Sequence, residues 1–147
     1  AVLTSSILLS LGIAIFNIAS KQVILSSVGR DSHYAFYAAD SGLECALYWD
    51  YQQNAFNADS SQLAINCAYG TVPTPGGGVA PLTKTTGAGS TQTTFDFSLG
   101  LDQKDPCTTV TVTKDTVTQK TTVESRGYNT CEDGNPRRIE RAVRARY

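Results

Sequence analysis

Residues 1–27 read AVLTSSILLSLGIAIFNIASKQVILSS, and the first charge in them is Lys21. An uncharged, mainly apolar run of about 20 residues is long enough to cross a bilayer as a helix. Ser5, Ser6, Ser10 and Asn17 make the run more polar than a simple lipid anchor. A helix accommodates such groups by bonding hydroxyls back to its own carbonyls or to neighbouring helices. A secretory signal reading fits poorly, because the basic start and the cleavage site are missing and the helical pattern does not stop. Position 1 is not Met, which is consistent with a leader peptide already removed or with a few further residues preceding Ala1.

The pattern continues as KQVILSSVGRDSHYAFYAADSGLECALYWDYQQN, and no proline occurs before Pro73. Ala35, Ala39, Gly42, Ala46 and Trp49 recur in steps of four, three, four and three, which places them on one helical face. Arg30, Asp31, Asp40, Glu44 and Asp50 supply polar positions elsewhere around the helix. The spacing predicts one helix from about residue 2 to about residue 53, roughly 75 Å long at the usual rise per residue. Its first half is apolar all round and its second half is amphipathic. Such a helix needs lipid or other helices around one half and its own domain against the other. Gly12 and Gly29 are its weak points, each costing about 1 kcal/mol relative to alanine. Any interruption is expected between Ser10 and Ser20, where Gly12 lowers helical preference.

Beyond the helix the period fades from about residue 55 to residue 94. PTPGGG at 73–78 is a strong breaker, and TKTTGAGSTQTT at 83–94 reads as an exposed loop and a candidate acceptor of surface glycan. The last third is β: Phe95, Phe97 and Leu99 alternate with polar residues, TVTVT follows at 109–113, and strands are expected at 117–126 and 138–147. With a tight turn at Lys114-Asp115, this makes a four-stranded antiparallel meander whose apolar face packs on the small-residue stripe. The fold class is therefore α+β.

Four cysteines in 147 residues, with no CxxC pair and a single histidine, His33, read as a disulfide framework rather than a zinc site. Four cysteines allow three pairings. Cys45 lies on the head half of the helix and Cys67 ends the segment returning from it. Cys107 opens one strand and Cys131 follows the next, so a hairpin brings them together. The expected bridges are Cys45–Cys67 and Cys107–Cys131.

An uncharged helix start, an unbroken amphipathic extension, a loop and a terminal antiparallel meander together resemble the type IV pilin family. The nearest local match is FYAADSGLECALYW at 36–49, similar to the segment where a pilin helix enters its head; ESRGYNTC at 124–131 with NPRRIERAVRARY at 135–147 resembles the terminal hairpin of that group. The resemblance implies a long N-terminal helix packed on a C-terminal sheet. Residues 1–27 would be a membrane span before assembly and filament core afterwards, and residues 28–147 an extracellular head. It implies core packing through Ser5, Ser6, Leu9, Gly12, Phe16 and Asn17, and helix–head packing through Ala35, Ala39, Gly42, Ala46 and Trp49. The implied partners are copies of the same chain in a helical filament, the inner membrane before assembly, and pilus assembly machinery. No cofactor and no metal are implied. The chain departs from the family pattern at its start. Where such pilins begin with phenylalanine and carry glutamate at the fifth mature position, this chain has Ala1 and Ser5, so the glutamate's charge pairing is not carried over.

No enzymatic constellation stands out: there is no G-x-S-x-G, P-loop, HExxH or GxGxxG after a strand. Asp102, Asp105, Glu132 and Asp133 lack the spacing of a calcium loop. Arg137, Arg138, Arg141, Arg144 and Arg146 crowd the C-terminus, but the formal net charge is −1 and Glu140 interrupts them, so edge protection or subunit contacts are expected rather than nucleic acid. Three non-catalytic roles remain: a pilus subunit, a pseudopilin of a secretion or DNA-uptake machine, and a single-span protein with an extracellular binding head. The helix runs on without a juxtamembrane linker, which separates the first two from the third. The threonine-rich loop, if decorated, favours a long exposed filament over a short pseudopilin piston.

Overall fold

The structure is a computed structural model that describes residues 2–67 and 79–147. Its first element is one helix, α1 (Val2–Gln53). No break occurs near Gly12: α1 is helical throughout, so the interruption expected between Ser10 and Ser20 is absent. The serines explain how. Ser10 donates to the Ser6 carbonyl at 2.6 Å and Ser20 to the Phe16 carbonyl at 2.9 Å, while Ser6 donates to Leu3 at 2.9 Å. These hydroxyls are satisfied without opening the ladder. At the other end Asn54 stops the helix in a left-handed conformation, φ 49°, and its N–H returns to the Asp50 carbonyl at 3.2 Å. Asparagine is among the few residues besides glycine that take this role.

Contacts divide the chain into two compact units, one ending at Asp31 and the other Ser32–Tyr147. In the second unit β1 (Ala64–Asn66) and β2 (Val79–Pro81) form a two-stranded antiparallel sheet. A five-stranded antiparallel meander follows: β3 (Thr83–Gly87), β4 (Ser90–Ser98), β5 (Cys107–Asp115), β6 (Lys120–Tyr128) and β7 (Glu140–Arg146). The unit is α+β, with five strands in its main sheet rather than the expected four. The extra strand comes from the tract read as an exposed loop. Thr83 pairs with Thr94 and Gly87 with Ser90 across a turn in which Gly89 takes φ 85°. Threonine is β-branched and suits a strand, a preference outweighed in the sequence reading by the flanking glycines. Thr91 and Thr93 face the core and are buried, while Thr83, Thr85 and Thr86 are exposed. The breaker at 73–78 lies outside the described residues.

The β5–β6 turn also differs from expectation. Both strands continue to Asp115 and Lys120, and the turn is made by 116–119. Asp115 Oδ1 accepts the N–H groups of Val117 at 2.8 Å and Thr118 at 3.0 Å, which caps the turn and holds the carboxyl below its ordinary range.

Within Ser32–Tyr147 the buried side of α1 carries Ala35, Ala38, Ala39, Gly42 and Ala46. Facing them, β5 and β6 present their inward positions: Thr108, Val110 and Val112, then Val123, Ser125 and Gly127. Contact is closest at the glycines. A Cβ on Gly127 would overlap the Ala35 oxygen and Ala39 nitrogen and stand 2.9 Å from the Ala38 carbonyl carbon; one on Gly42 would stand 2.8 Å from both Thr108 Oγ1 and Val110 Cγ2. Further along, larger side chains fill the space. Phe56 stacks on Phe95 with centroids 5.7 Å apart, and Phe95 on Phe97 at 6.4 Å, with Ile65, Val110, Val112 and Val123 around them. The Cys45–Cys67 disulfide, Cα–Cα 5.9 Å, closes this core beside Trp49, whose Nε1 donates to the Asn66 carbonyl at 3.1 Å.

Two stability measurements follow from these contacts. Gly127→Ala is expected to destabilise the head by about 3 kcal/mol, because the helix backbone has nowhere to retreat. Gly29→Ala, where an added Cβ meets nothing within 4 Å, is expected to be neutral or to stabilise α1 by up to about 1 kcal/mol. Chemical denaturation of the full chain in detergent, followed by Trp49 fluorescence for the first variant and by helical ellipticity for the second, checks both.

Candidate functional site

The segment of α1 up to Asp31 shows its apolar side chains on every side. Ile7, Leu9, Ile13, Phe16 and Ile18 are all more than half exposed within the chain, Leu9 at 67% and Phe16 at 71%. Leu9, Gly12, Phe16 and Asn17, like Ser5 and Ser6, lie on this exposed surface. The helix is long and apolar enough to cross a membrane, with a window of mean hydropathy 2.0 and none of it buried within the chain. Fourteen large hydrophobic side chains exposed between Val2 and Val28 would not stay dispersed in water, so the surface requires lipid or protein around it. Ser6, Ser10 and Ser20 turn their hydroxyls back onto the helix, so much of its outer surface is methyl and methylene, with open glycines at Gly12 and Gly29. Small positions like these allow neighbouring helices to approach closely.

Among the residues assigned to helix–head packing, Ala35, Ala39, Gly42 and Ala46 are buried against the sheet and Trp49 is half-buried at the disulfide. The disulfide framework is half formed. Cys107 and Cys131 are thiols, not the expected bridge. They are nonetheless neighbours: the Cys131 sulfur and then burial push the Cys107 thiol up, while the hydrogen bond from Cys107 holds the Cys131 thiol down. Two of the five C-terminal arginines, Arg138 and Arg141, are engaged within the head. Arg138 lies over the Tyr128 ring at 4.0 Å and pairs with Asp133, and Arg141 Nε donates to Ser32 Oγ at 2.8 Å. On the outer face Arg126 pairs with Glu124 at 2.7 Å and Glu140 at 3.7 Å, contacts that push its guanidinium further up. Asp105 accepts the Asp102 N–H at 2.9 Å; among the described residues no group of three or more His, Cys, Asp or Glu is placed to hold a metal ion.

One polar cluster escaped the sequence reading. Asp50, read there as a polar position away from the small-residue stripe, is only 5% exposed. Its Oδ1 has Lys114 Nζ at 2.6 Å, an ion contact without hydrogen-bond alignment, and its Oδ2 accepts the Tyr147 hydroxyl at 2.7 Å. Lys114 Nζ also donates to Asn57 Oδ1 at 2.8 Å, and the Tyr147 ring stacks on Tyr51 with centroids 5.2 Å apart. Tyr147 is held there because its backbone N–H and carbonyl extend the sheet ladder to Thr121 at 3.0 and 2.8 Å. The signal was present: Asp50 falls four residues after Ala46, on the buried stripe. What was missing was its partners, which come from 64 and 97 residues away.

Searches of protein-family models, of curated proteins and of solved structures return no match to this chain.

Burial and the Asp50 hydrogen bond push the Tyr147 phenol above its ordinary range. A raised folded value means that the phenol's contribution to stability is complete below the ordinary tyrosine range. It is lost as pH rises through the raised value. Phenolate absorbance should therefore show a late-titrating component that falls by one tyrosine in Tyr147→Phe, with Tyr128, also pushed up by burial and Glu140, remaining. Asp50→Ala leaves the Lys114 ammonium without its carboxylate and should lower stability by about 3 kcal/mol in a denaturant titration.

Proposed function

We propose that this chain is a pilin-like subunit that polymerises into an extracellular filament of the type IV kind through helix–helix packing of residues 1–27. The single observation that carries the reading is the combination in one helix of an uncovered apolar half and a half that serves as the spine of a disulfide-stapled sheet domain. An ordinary anchor needs only the first property, and an ordinary domain needs only the second.

The apolar half is long enough to wait in a bilayer, and neighbouring copies offer it equivalent apolar surroundings once it leaves. A subunit that buries one end against identical neighbours through unlike surfaces, without ring closure, builds an open helical polymer. No chemistry is required of the head in this role, and the reading assigns it no catalytic residue and no cofactor. The implied partners are further copies, the inner membrane and an assembly machine. A pseudopilin would use the same helix to build only a short piston. The argument for a long fibre drawn from an exposed threonine loop falls away now that the tract forms β3 and β4.

Negative-stain microscopy of the chain after detergent removal tests the reading. Fibres of uniform width are expected from the wild type. Phe16→Arg places a charge on the exposed apolar surface and should abolish them while leaving the Cys45–Cys67 head folded. A wild-type sample that stays monomeric, or closes into dimers, overturns the filament; uniformly short rods favour the pseudopilin.

A further inference from the structure

Lys114 Nζ stands 2.6 Å from Asp50 Oδ1 and 2.8 Å from Asn57 Oδ1, so one amine touches both a buried carboxylate and a carboxamide. We propose that Lys114 and Asn57 become joined by an intramolecular isopeptide bond, with Asp50 as the catalytic proton carrier.

Lysine amines do not ordinarily attack carboxamides, because the amine is protonated and the two groups meet only in passing. Here the two groups are held in contact, and a carboxylate stands beside the ammonium to accept its proton. Asp50 is 5% exposed, and Tyr147 fixes the carboxylate through its other oxygen, leaving Oδ1 to face the ammonium. Asn57 is held in its turn from both sides of its backbone. Its N–H donates to the Asn54 carbonyl at 3.2 Å, and its own carbonyl accepts Ser60 N–H at 3.1 Å and Lys84 Nζ at 3.3 Å. Fixing two reactants in contact raises their effective concentration by orders of magnitude, and a positioned carboxylate adds general acid–base assistance.

The step balances without an added reagent. Asp50 takes one proton from the Lys114 ammonium, and the freed lone pair on Nζ adds to Asn57 Cγ while the carbonyl electrons move onto Oδ1. A second Nζ proton is lost, and Asp50 delivers a proton to Nδ2. The carbonyl then re-forms, the Cγ–Nδ2 bond breaks, and ammonia departs, leaving as ammonium. The Nζ–Cγ amide remains, Asp50 is regenerated as the carboxylate, and nothing is oxidised or reduced. Asp50 is the carrier rather than the target because a carboxylate anion repels a nucleophile from its own carbon. The product ties the turn after α1 to the end of β5, across 57 residues, and survives reducing conditions that open Cys45–Cys67.

The test is mass spectrometry of the purified full chain after reduction, and it is independent of whether filaments form. Expected are an intact mass lighter by one ammonia, a branched tryptic peptide joining the segments that contain Asn57 and Lys114, and no cleavage after Lys114. Asn57→Ala, in an exposed turn, and Asp50→Asn should each give the full calculated mass and restore cleavage, with the intact Cys45–Cys67 bridge before reduction reporting that the head still folds. A wild-type chain of full mass that is cut after Lys114 overturns the proposal. So does ammonia loss with Lys114 still cleavable, which marks a succinimide at Asn57, and so does loss of water with Lys114 joined to Asp50.

Discussion

The contact on which the rest of the head depends is backbone against backbone: α1 lies directly on β6 at Gly127, with the Ala35 oxygen and Ala39 nitrogen where a side chain would otherwise be. A helix normally stands off a sheet by the length of the side chains between them. Here alanines on one side and Gly127, Ser125 and Thr108 on the other remove that spacing. The close approach brings two hydroxyls under the helix, and they satisfy each other: Thr108 Oγ1 and Ser125 Oγ are 3.0 Å apart, and Thr108 also donates to the Arg126 carbonyl at 3.0 Å. Buried polar groups of this kind are tolerated because each is paired.

From that contact the core widens along the helix, from alanine and glycine to Phe56, Phe95, Phe97 and Trp49. The disulfide closes the wide end by tying Cys45 to Cys67, a loop of 22 residues, which by the chain-entropy account is worth about 3 kcal/mol. For a head of this size that is a large share of ordinary domain stability. The Asp50 cluster sits at the same end, where α1 stops and β5 and the chain terminus arrive. Among the described residues it is where the head buries a carboxylate, with Lys114 and Tyr147 reaching its two oxygens.

The same helix faces a different requirement in its first half. There the backbone bonds itself, Ser6, Ser10 and Ser20 bond the backbone, and most of what remains outward is hydrocarbon. Among the described residues nothing covers that apolar surface, so it calls for lipid or other protein. This is a constraint on what surrounds the molecule and not on how the molecule folds.

The helix was legible because it is local: its period, its charge-free start and the stripe Ala35, Ala39, Gly42, Ala46 follow from 3.6 residues per turn and need no distant contact. The Cys45–Cys67 pairing and the strands around Phe95, TVTVT and the C-terminus were legible for similar reasons. The hairpin β3–β4 was not, because glycines and threonines leave the choice between loop and strand to whichever sheet edge is available, and that edge is made by β5. Nor was the Asp50 cluster. A carboxylate in a helix sequence reads as solvent-facing until a lysine from β5 and the final tyrosine arrive to neutralise and bond it, and their arrival is decided by strand register. Sequence alone determined the elements governed by local periodicity, and tertiary structure decided the polar placements, because a buried charge is stable only where distant chain segments converge on it.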